Sequence, residues 1–217
     1  IQTPTSPTSA SDTFCLIHRG VTVRKMHTSR RDTFRSINAK PLARVTPEKI
    51  EMLRQDYRRR SNGPVEVDDK LEERVAMVYV WPGLKGGLID FLVEQGYKGI
   101  VLVGTGLGHA PHRVFPSIKK AIKDGVAVVM TSQCLFGRVN MNVYSTGREL
   151  LAMGVISGDS MLPEVAAVKL MWVLGHTTDP EEVKRLMLTN IAGELIPSIS
   201  MSTFNKQGLE GEEGRRV

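Results

Sequence analysis

Five runs decide the fold: VAMVYV at 75–80, GLIDFLVE at 87–94, GIVLVG at 99–104, PSIKKAIK at 116–123 and VAVVMT at 126–131. The first, third and fifth are short, β-branched and apolar throughout, with no polar alternation. That is the pattern of a strand buried on both faces. The second and fourth are amphipathic at a helical period, and Gly96 and Gly125 stand just past them as stop signals. Strands that alternate with helices of two to three turns imply parallel pairing through right-handed crossovers. The expected architecture is therefore α/β, a small parallel sheet with helices on both faces.

The pattern continues downstream with helices at 147–153, 163–174 and 180–188. The last opens on Thr178-Asp179-Pro180, an N-cap followed by a first-turn proline. Upstream the organisation changes. Residues 13–45 read as strands: an apolar run at 14–18, a turn at His18-Arg19-Gly20, and Val21, Val23 and Lys25 alternating with Thr22 and Arg24, a hairpin that feeds a functional loop. Thr46-Pro47-Glu48 reads as a helix start, with Ile50, Leu53 and Tyr57 following at helical spacing. Arg58-Arg59-Arg60-Ser61-Asn62-Gly63-Pro64 closes that element, and the polar run 66–73 lacks apolar periodicity. The division that follows is a terminal loop at 1–11, part of one domain at 12–62, a linker at 63–74, a small α/β domain at 75–200 and a tail at 201–217. No internal repeat is present.

Composition bounds the function. The 217 residues are 41% hydrophobic and 24% charged, and their apolar runs are strand-sized, so no membrane span is expected. Two cysteines, Cys15 and Cys134, cannot make a disulfide framework, and the five histidines show no metal-ligand spacing, so no metal and a reducing cytoplasm are expected. A net charge of +6 would suit a polyanion, but by itself it reads first as a basic solvated surface. The Thr/Pro/Ser-rich start lacks an initiator Met and the basic and apolar regions of a secretory signal, and reads as a processed or cut end.

Three segments carry residues with chemical potential. In Gly104-Thr105-Gly106-Leu107-Gly108-His109, three glycines after a strand let the backbone turn sharply. The spacing is G-x-G-x-G, not the dinucleotide fingerprint, and the next strand ends in Met130-Thr131-Ser132 with no acid for a ribose hydroxyl. A tight β-α turn and a small-ligand or subunit-contact loop remain open. The second segment runs from Val23 to Ile37. Strand alternation puts Lys25 and His27 on one face, and a lysine beside hydroxyls and a carboxylate can accept a proton. On chemistry alone, a lysine at a strand end reads first as a solvated charge. The third, Thr131 to Asn140, holds Cys134, read as a buried structural thiol with a nucleophile as the alternative. Arg58-Arg59-Arg60 reads as solvated linker charge, or as a phosphate grip.

Taken together and in order, these motifs resemble the asparaginase/glutaminase family. Its members carry a lysine followed by a Thr-rich loop that ends in Thr-Phe-Lys/Arg-Ser-Val/Ile-Asn, and Lys25 through Asn38 matches that run in register. His18-Arg19-Gly20, Arg24 through Asp32, Gly104 through His109, Leu162-Pro163-Glu164 and Leu170 through Gly175 resemble one branch in particular. That branch is the D-type glutaminase subunits of archaeal glutamyl-tRNA(Gln) amidotransferases. The resemblance runs from Ser11 to Glu194, and it implies an asparaginase-type catalytic domain, present in part, followed by the smaller parallel-sheet domain.

The resemblance implies that a threonine hydroxyl attacks a side-chain amide while a second threonine, an aspartate and the loop lysine relay the proton. Lys25 falls on that catalytic lysine. His27, Thr28 and Ser29 fall in the loop beyond it. Gly106, His109 and Tyr144 fall where free asparaginases complete a neighbouring subunit's pocket, with His109 standing where an asparagine is common. A homodimer follows by the same resemblance, as does an E-type amidotransferase partner that uses ATP and Mg to convert Glu-tRNA(Gln) to Gln-tRNA(Gln). This chain would touch tRNA only through that complex and needs no cofactor of its own. The alternatives are a free L-asparaginase/glutaminase and a non-catalytic truncated interaction module.

The family's nucleophile lies in a T-G-G-T-like turn and its second threonine in an H-G-T-D-T-like turn, both upstream of the lysine. Neither occurs here, and Asp12-Thr13 and Asp32-Thr33 lack the glycine context. The expectation is a chain without its threonine half. The 217-residue chain by itself is therefore predicted to release no ammonia from glutamine; a coupled ammonia assay that detects turnover would overturn this.

Overall fold

The computed structural model describes residues 14–30, 33–60 and 62–200, so the ends expected at 1–11 and 201–217 lie outside it, as do Asp12, Thr13 and Asp32. The described residues divide into two compact units, one over 67–195 and the other made of those before 67 together with 196–200.

The larger unit is a four-stranded parallel sheet in the order β6 (Val75–Tyr79), β7 (Gly99–Gly104), β8 (Ala127–Ser132) and β9 (Ile156–Ser157). Val75 to Tyr79 run beside Gly99 to Val103, and Gly99 to Gly104 beside Ala127 to Ser132, without a register break. All six residues of β7 are buried. Ile100 and Leu102 pack toward α1 (Gly87–Glu94), α2 (Phe115–Lys123) and α3 (Ser145–Ala152), through Ile89, Leu92, Ile118, Ala121 and Leu150. Val101 packs oppositely, toward Ala166, Leu170 and Val173 of α4 (Pro163–His176) and Val183 and Met187 of α5 (Pro180–Met187). Both faces are covered at β7 and β8, as their unbroken apolar runs required, whereas Met77 and Tyr79 on the edge strand β6 are exposed. The α5 cap also forms as read: Asp179 Oδ2 accepts from Glu182 N at 2.9 Å.

The connection into this unit is built onto α4. Glu72 N donates to Met171 O at 2.9 Å, and Asp68 accepts from Trp172 Nε1 at 3.1 Å. The other oxygen of Asp68 lies 2.9 Å from His176 Nε2, while His176 Nδ1 lies 2.7 Å from Trp172 O. The imidazole thus stands between Asp68 and the Trp172 carbonyl at the carboxyl end of α4.

The smaller unit is antiparallel. Strand β1 (Cys15–Ile17) pairs with β4 (Ala43–Val45), which pairs with β5 (Ile50–Met52), and β2 (Val23–Lys25) pairs with β3 (Phe34–Ser36). Two expectations are corrected here. The strand at β1 does not form a hairpin with β2; a 3-10 turn, Gly20–Thr22, carries the chain into a separate ribbon. No helix follows Thr46. Instead Thr46 N donates to Lys49 O at 2.9 Å and Thr46 Oγ1 accepts from Lys49 N at 3.2 Å, which closes a hairpin between β4 and β5. The residues read as a helical stripe have no core to face: Ile50 is 65% exposed and Leu53 39%. Val45 and Ile50, both β-branched, lie opposite each other in the ladder. Strand β9, which the sequence reading passed over, is two residues long, too short for a period to register.

One buried ion pair ties α4 to the loop after α5. Lys169 Nζ donates to Glu194 Oε1 at 2.5 Å, to Thr189 O at 2.6 Å and to Met187 O at 2.9 Å, so its three donors are filled. Glu194 also accepts from Ile191 N at 3.1 Å and Ala192 N at 2.7 Å. Burial pushes the Glu194 carboxyl up, but the Lys169 ammonium and the backbone N–H groups outweigh it and hold the group below its ordinary range. A carboxyl depressed on folding adds stability above its unfolded pKa and loses it as pH falls through the folded one.

Lys169→Met leaves the buried Glu194 carboxylate uncompensated, and urea unfolding at pH 7 should show a loss of about 3–5 kcal/mol. That deficit should shrink on acidification below the ordinary glutamate range; a deficit independent of pH would contradict the pairing. The loop after β7 gives a second expectation. A Cβ on Gly108 (φ 98°) would sit 2.7 Å from Val139 Cγ1 and 3.0 Å from Met130 Cγ, whereas one on Gly106 (φ 52°) would meet nothing within 4 Å. Gly106→Ala should cost about 1–2 kcal/mol for the left-handed backbone alone. Gly108→Ala should cost about 1–3 kcal/mol more through overpacking; equal losses for the two would refute this.

Candidate functional site

Lys25 closes β2 opposite Phe34 and is exposed, as are His27, Thr28 and Ser29 beyond it. The loop they begin is pinned at its base. Met26 N donates to Thr33 O at 2.8 Å, and the buried Thr33 hydroxyl accepts from His27 N at 2.5 Å and donates to His27 O at 2.7 Å. Asn38, at the end of the matched run, adopts φ 60° and is buried. Behind the ribbon, His18 Nδ1 lies 2.7 Å from Ser36 Oγ, and burial, reinforced by the Arg35 guanidinium, lowers the imidazole to about 4.

In the larger unit, the carboxyl ends of the parallel strands hold Gly106, His109 and Tyr144. The glycine-rich loop closes on itself: Thr105 N donates to His109 O, and Gly108 N and His109 N both donate to Thr105 O, each at 3.0 Å. Those N–H groups are spent within the turn and cannot cradle a phosphate, the service the dinucleotide fingerprint depends on. Ser132 Oγ, at the end of β8, donates to Gly106 O at 2.6 Å.

His109 lies edge-on to Tyr144, with ring centroids 5.2 Å apart and planes at 65°. Its Nδ1 is 3.0 Å from Thr146 Oγ1, while its Nε2 is buried with no hydrogen-bond partner. An orphaned buried nitrogen is uncommon in a folded protein. His109 and Tyr144 are thus brought together, and Lys25, His27, Thr28 and Ser29 share one loop.

The third segment is corrected. Cys134 is exposed, its backbone N donating to Ser132 Oγ at 3.0 Å, because the chain turns outward where β8 ends. Sequence reasoning passed over its neighbour Gln133, whose Nε2 donates to Val80 O at 2.5 Å and Val103 O at 3.0 Å, stitching the carboxyl ends of β6 and β7. It also passed over Thr146, on the first turn of α3 beside His109. No local signal marks either, because Gln133 reaches a partner 53 residues away in the chain and Thr146 one 37 residues away. Arg58, Arg59 and Arg60 are exposed, with Arg59 over the Tyr57 ring at 5.8 Å. Among the described residues no cluster of three His, Cys, Asp or Glu could hold a metal, and no helix is long and apolar enough to cross a membrane.

This geometry matches known proteins. Residues 74–187 match the glutaminase/asparaginase C-terminal domain, and residues 9–58 match the N-terminal asparaginase domain. The D-type glutamyl-tRNA(Gln) amidotransferase subunit of Pyrococcus furiosus is 65% identical over 195 residues, which are 89% of this chain and 44% of the relative. Its counterpart in Thermococcus kodakarensis is 64% identical over 195 residues, with the same coverage. The chain spans less than half the length of these relatives. Among solved structures, the thermostable L-asparaginase from Thermococcus kodakarensis superposes with a TM-score of 0.77 at 34% identity, over 84% of this chain and 56% of that one. L-asparaginase I from Vibrio cholerae gives 0.73 at 32%, over 82% and 55%. With more than half of its residues matched by one domain of the family and the rest of the matched sequence by the other, the chain belongs to the glutaminase/asparaginase family.

Proposed function

We propose that this chain is the lysine-bearing part of a glutamine-hydrolysing enzyme that supplies ammonia to a tRNA-dependent amidotransferase. One comparison carries the choice between branches. Within a single organism, Thermococcus kodakarensis, the chain is 64% identical to the amidotransferase subunit and 34% identical to the L-asparaginase. Two proteins of one organism share its temperature and composition, so the difference reflects branch rather than habitat.

In this reading Lys25 accepts and returns the proton of an attacking threonine hydroxyl, a general-base step in nucleophilic catalysis. The hydroxyls belong to threonine turns that this sequence does not contain, and the exposure of Lys25 leaves its amine open to them. Thr28 and Ser29 line the approach. His109, edge-on to the Tyr144 ring, and the outward-turned Gly106 belong to the second contact loop, offered to substrate or to a second copy in a homodimer. Ammonia then passes to the E-type partner, where ATP and Mg activate Glu-tRNA(Gln), so tRNA is met only through the complex.

A chimera tests this: the chain replaces the 195 matching residues of the Pyrococcus furiosus relative. The chimera should hydrolyse glutamine in preference to asparagine, and Lys25→Met should lower kcat by about 10²–10⁴-fold with an unchanged unfolding temperature. Preference for asparagine would move the chain to the free asparaginases. A folded chimera indifferent to Lys25→Met would sink the enzymatic reading and leave an interaction module.

A further inference from the structure

The loop beyond Lys25 is organised around its own imidazole. His27 Nδ1 lies 3.1 Å from Ser29 N and 3.2 Å from Arg30 N, with Ser29 Oγ at 3.4 Å. Backbone N–H groups can only donate, so two of them converging on one ring nitrogen identify that nitrogen as an unprotonated acceptor. The tautomer follows from the partners that the ring meets. His27 must then be neutral and carry its proton on Nε2. The same residue's backbone is clamped by the Thr33 hydroxyl on both its N–H and its C=O. Side chain and main chain of one residue thereby set the path of the chain from the end of β2 to Arg30.

We propose that His27 is a positioning residue: its neutral Nδ1 anchors the N–H groups of Ser29 and Arg30 and so holds the loop that presents Lys25. The proposal deepens the reading of Lys25 as the proton relay and rests on it for its catalytic consequence. A second proton on the imidazole can only go to Nδ1, and it displaces both backbone donors, so acidification opens the loop. The charged groups that the described part of this ribbon carries are all cations: Arg24 and Lys25 on β2, Arg30 in the loop and Arg35 on β3. Asp32, the carboxylate of the same loop, lies outside the described residues. This role differs from a direct contact with substrate, for which the acceptor nitrogen is already committed.

Nitrogen-15 NMR of the 217-residue chain reads the tautomer directly. The expected signature at neutral pH is an unprotonated Nδ1 and a protonated Nε2, with the Ser29 and Arg30 amide resonances moving on acidification in step with the ring. His27→Leu should speed exchange of those two amides by about two- to tenfold, the worth of one lost hydrogen bond each. In His27→Asn the side-chain oxygen takes the place of Nδ1 and has no proton to gain, so the two amides should stay protected and stop responding to acid. In the chimera described above, His27→Leu should lower kcat more than it raises KM, and His27→Asn should restore kcat while weakening the acid limb of the rate profile. An Nδ1–H tautomer, or Ser29 and Arg30 amides indifferent to His27→Leu, overturns the proposal whatever the chimera does. Normal turnover with Lys25→Met would instead overturn the glutaminase reading, with the NMR signature of the loop unaffected.

Discussion

Strand β7 has no solvent face. Each of its six residues is buried, with Ile100 and Leu102 turned to one helical layer and Val101 to the other. A strand in that position satisfies its backbone only through neighbours on both sides, and β6 and β8 supply them in unbroken register. Burial of this strand therefore requires two covering layers, and the helical crossovers before and after it leave all three strands pointing the same way. Their carboxyl ends then open together, and the loops carrying Gly106, His109 and Gln133 emerge side by side. The chemistry offered by this unit is a consequence of how β7 is buried.

The loops at those ends are held by short polar contacts and need no regular structure. Gln133 bridges the ends of β6 and β7, Ser132 holds the carbonyl of Gly106, and Thr146 fixes one nitrogen of His109. In the smaller unit the same economy recurs on a two-stranded ribbon, where Thr33 and the His27 ring shape the loop after Lys25. Ribbons of this size are marginal in isolation. Local side-chain to backbone bonds hold the loop where a ribbon of this size has little core of its own.

The parallel sheet was legible because three apolar runs and two amphipathic runs each met a distinct period, and glycines punctuated them. In the smaller unit residues 13–45 were legible as strands but with the wrong pairing, and β5 was read as part of a helix. Thr46-Pro47 misled because Thr as a cap and Pro at a first position serve a turn as readily as a helix. Helical spacing of Ile50, Leu53 and Tyr57 carried no weight once no apolar surface lay opposite. Cys134 misled in the same way: its residue type favours burial, but its place where β8 ends turns it outward.

By itself, then, the sequence determined the α/β class, the order of strands and helices in the larger unit, and the candidate residues Lys25, His27 and His109, because period, punctuation and motif are properties of neighbouring residues. Tertiary structure alone decided which strands pair, which nitrogen of His27 accepts and which of His109 is left without a partner. It also decided that Lys169 and Glu194 close a buried pair across 25 residues. Those outcomes depend on distance and burial between groups that only the folded chain brings together, and no local pattern encodes them.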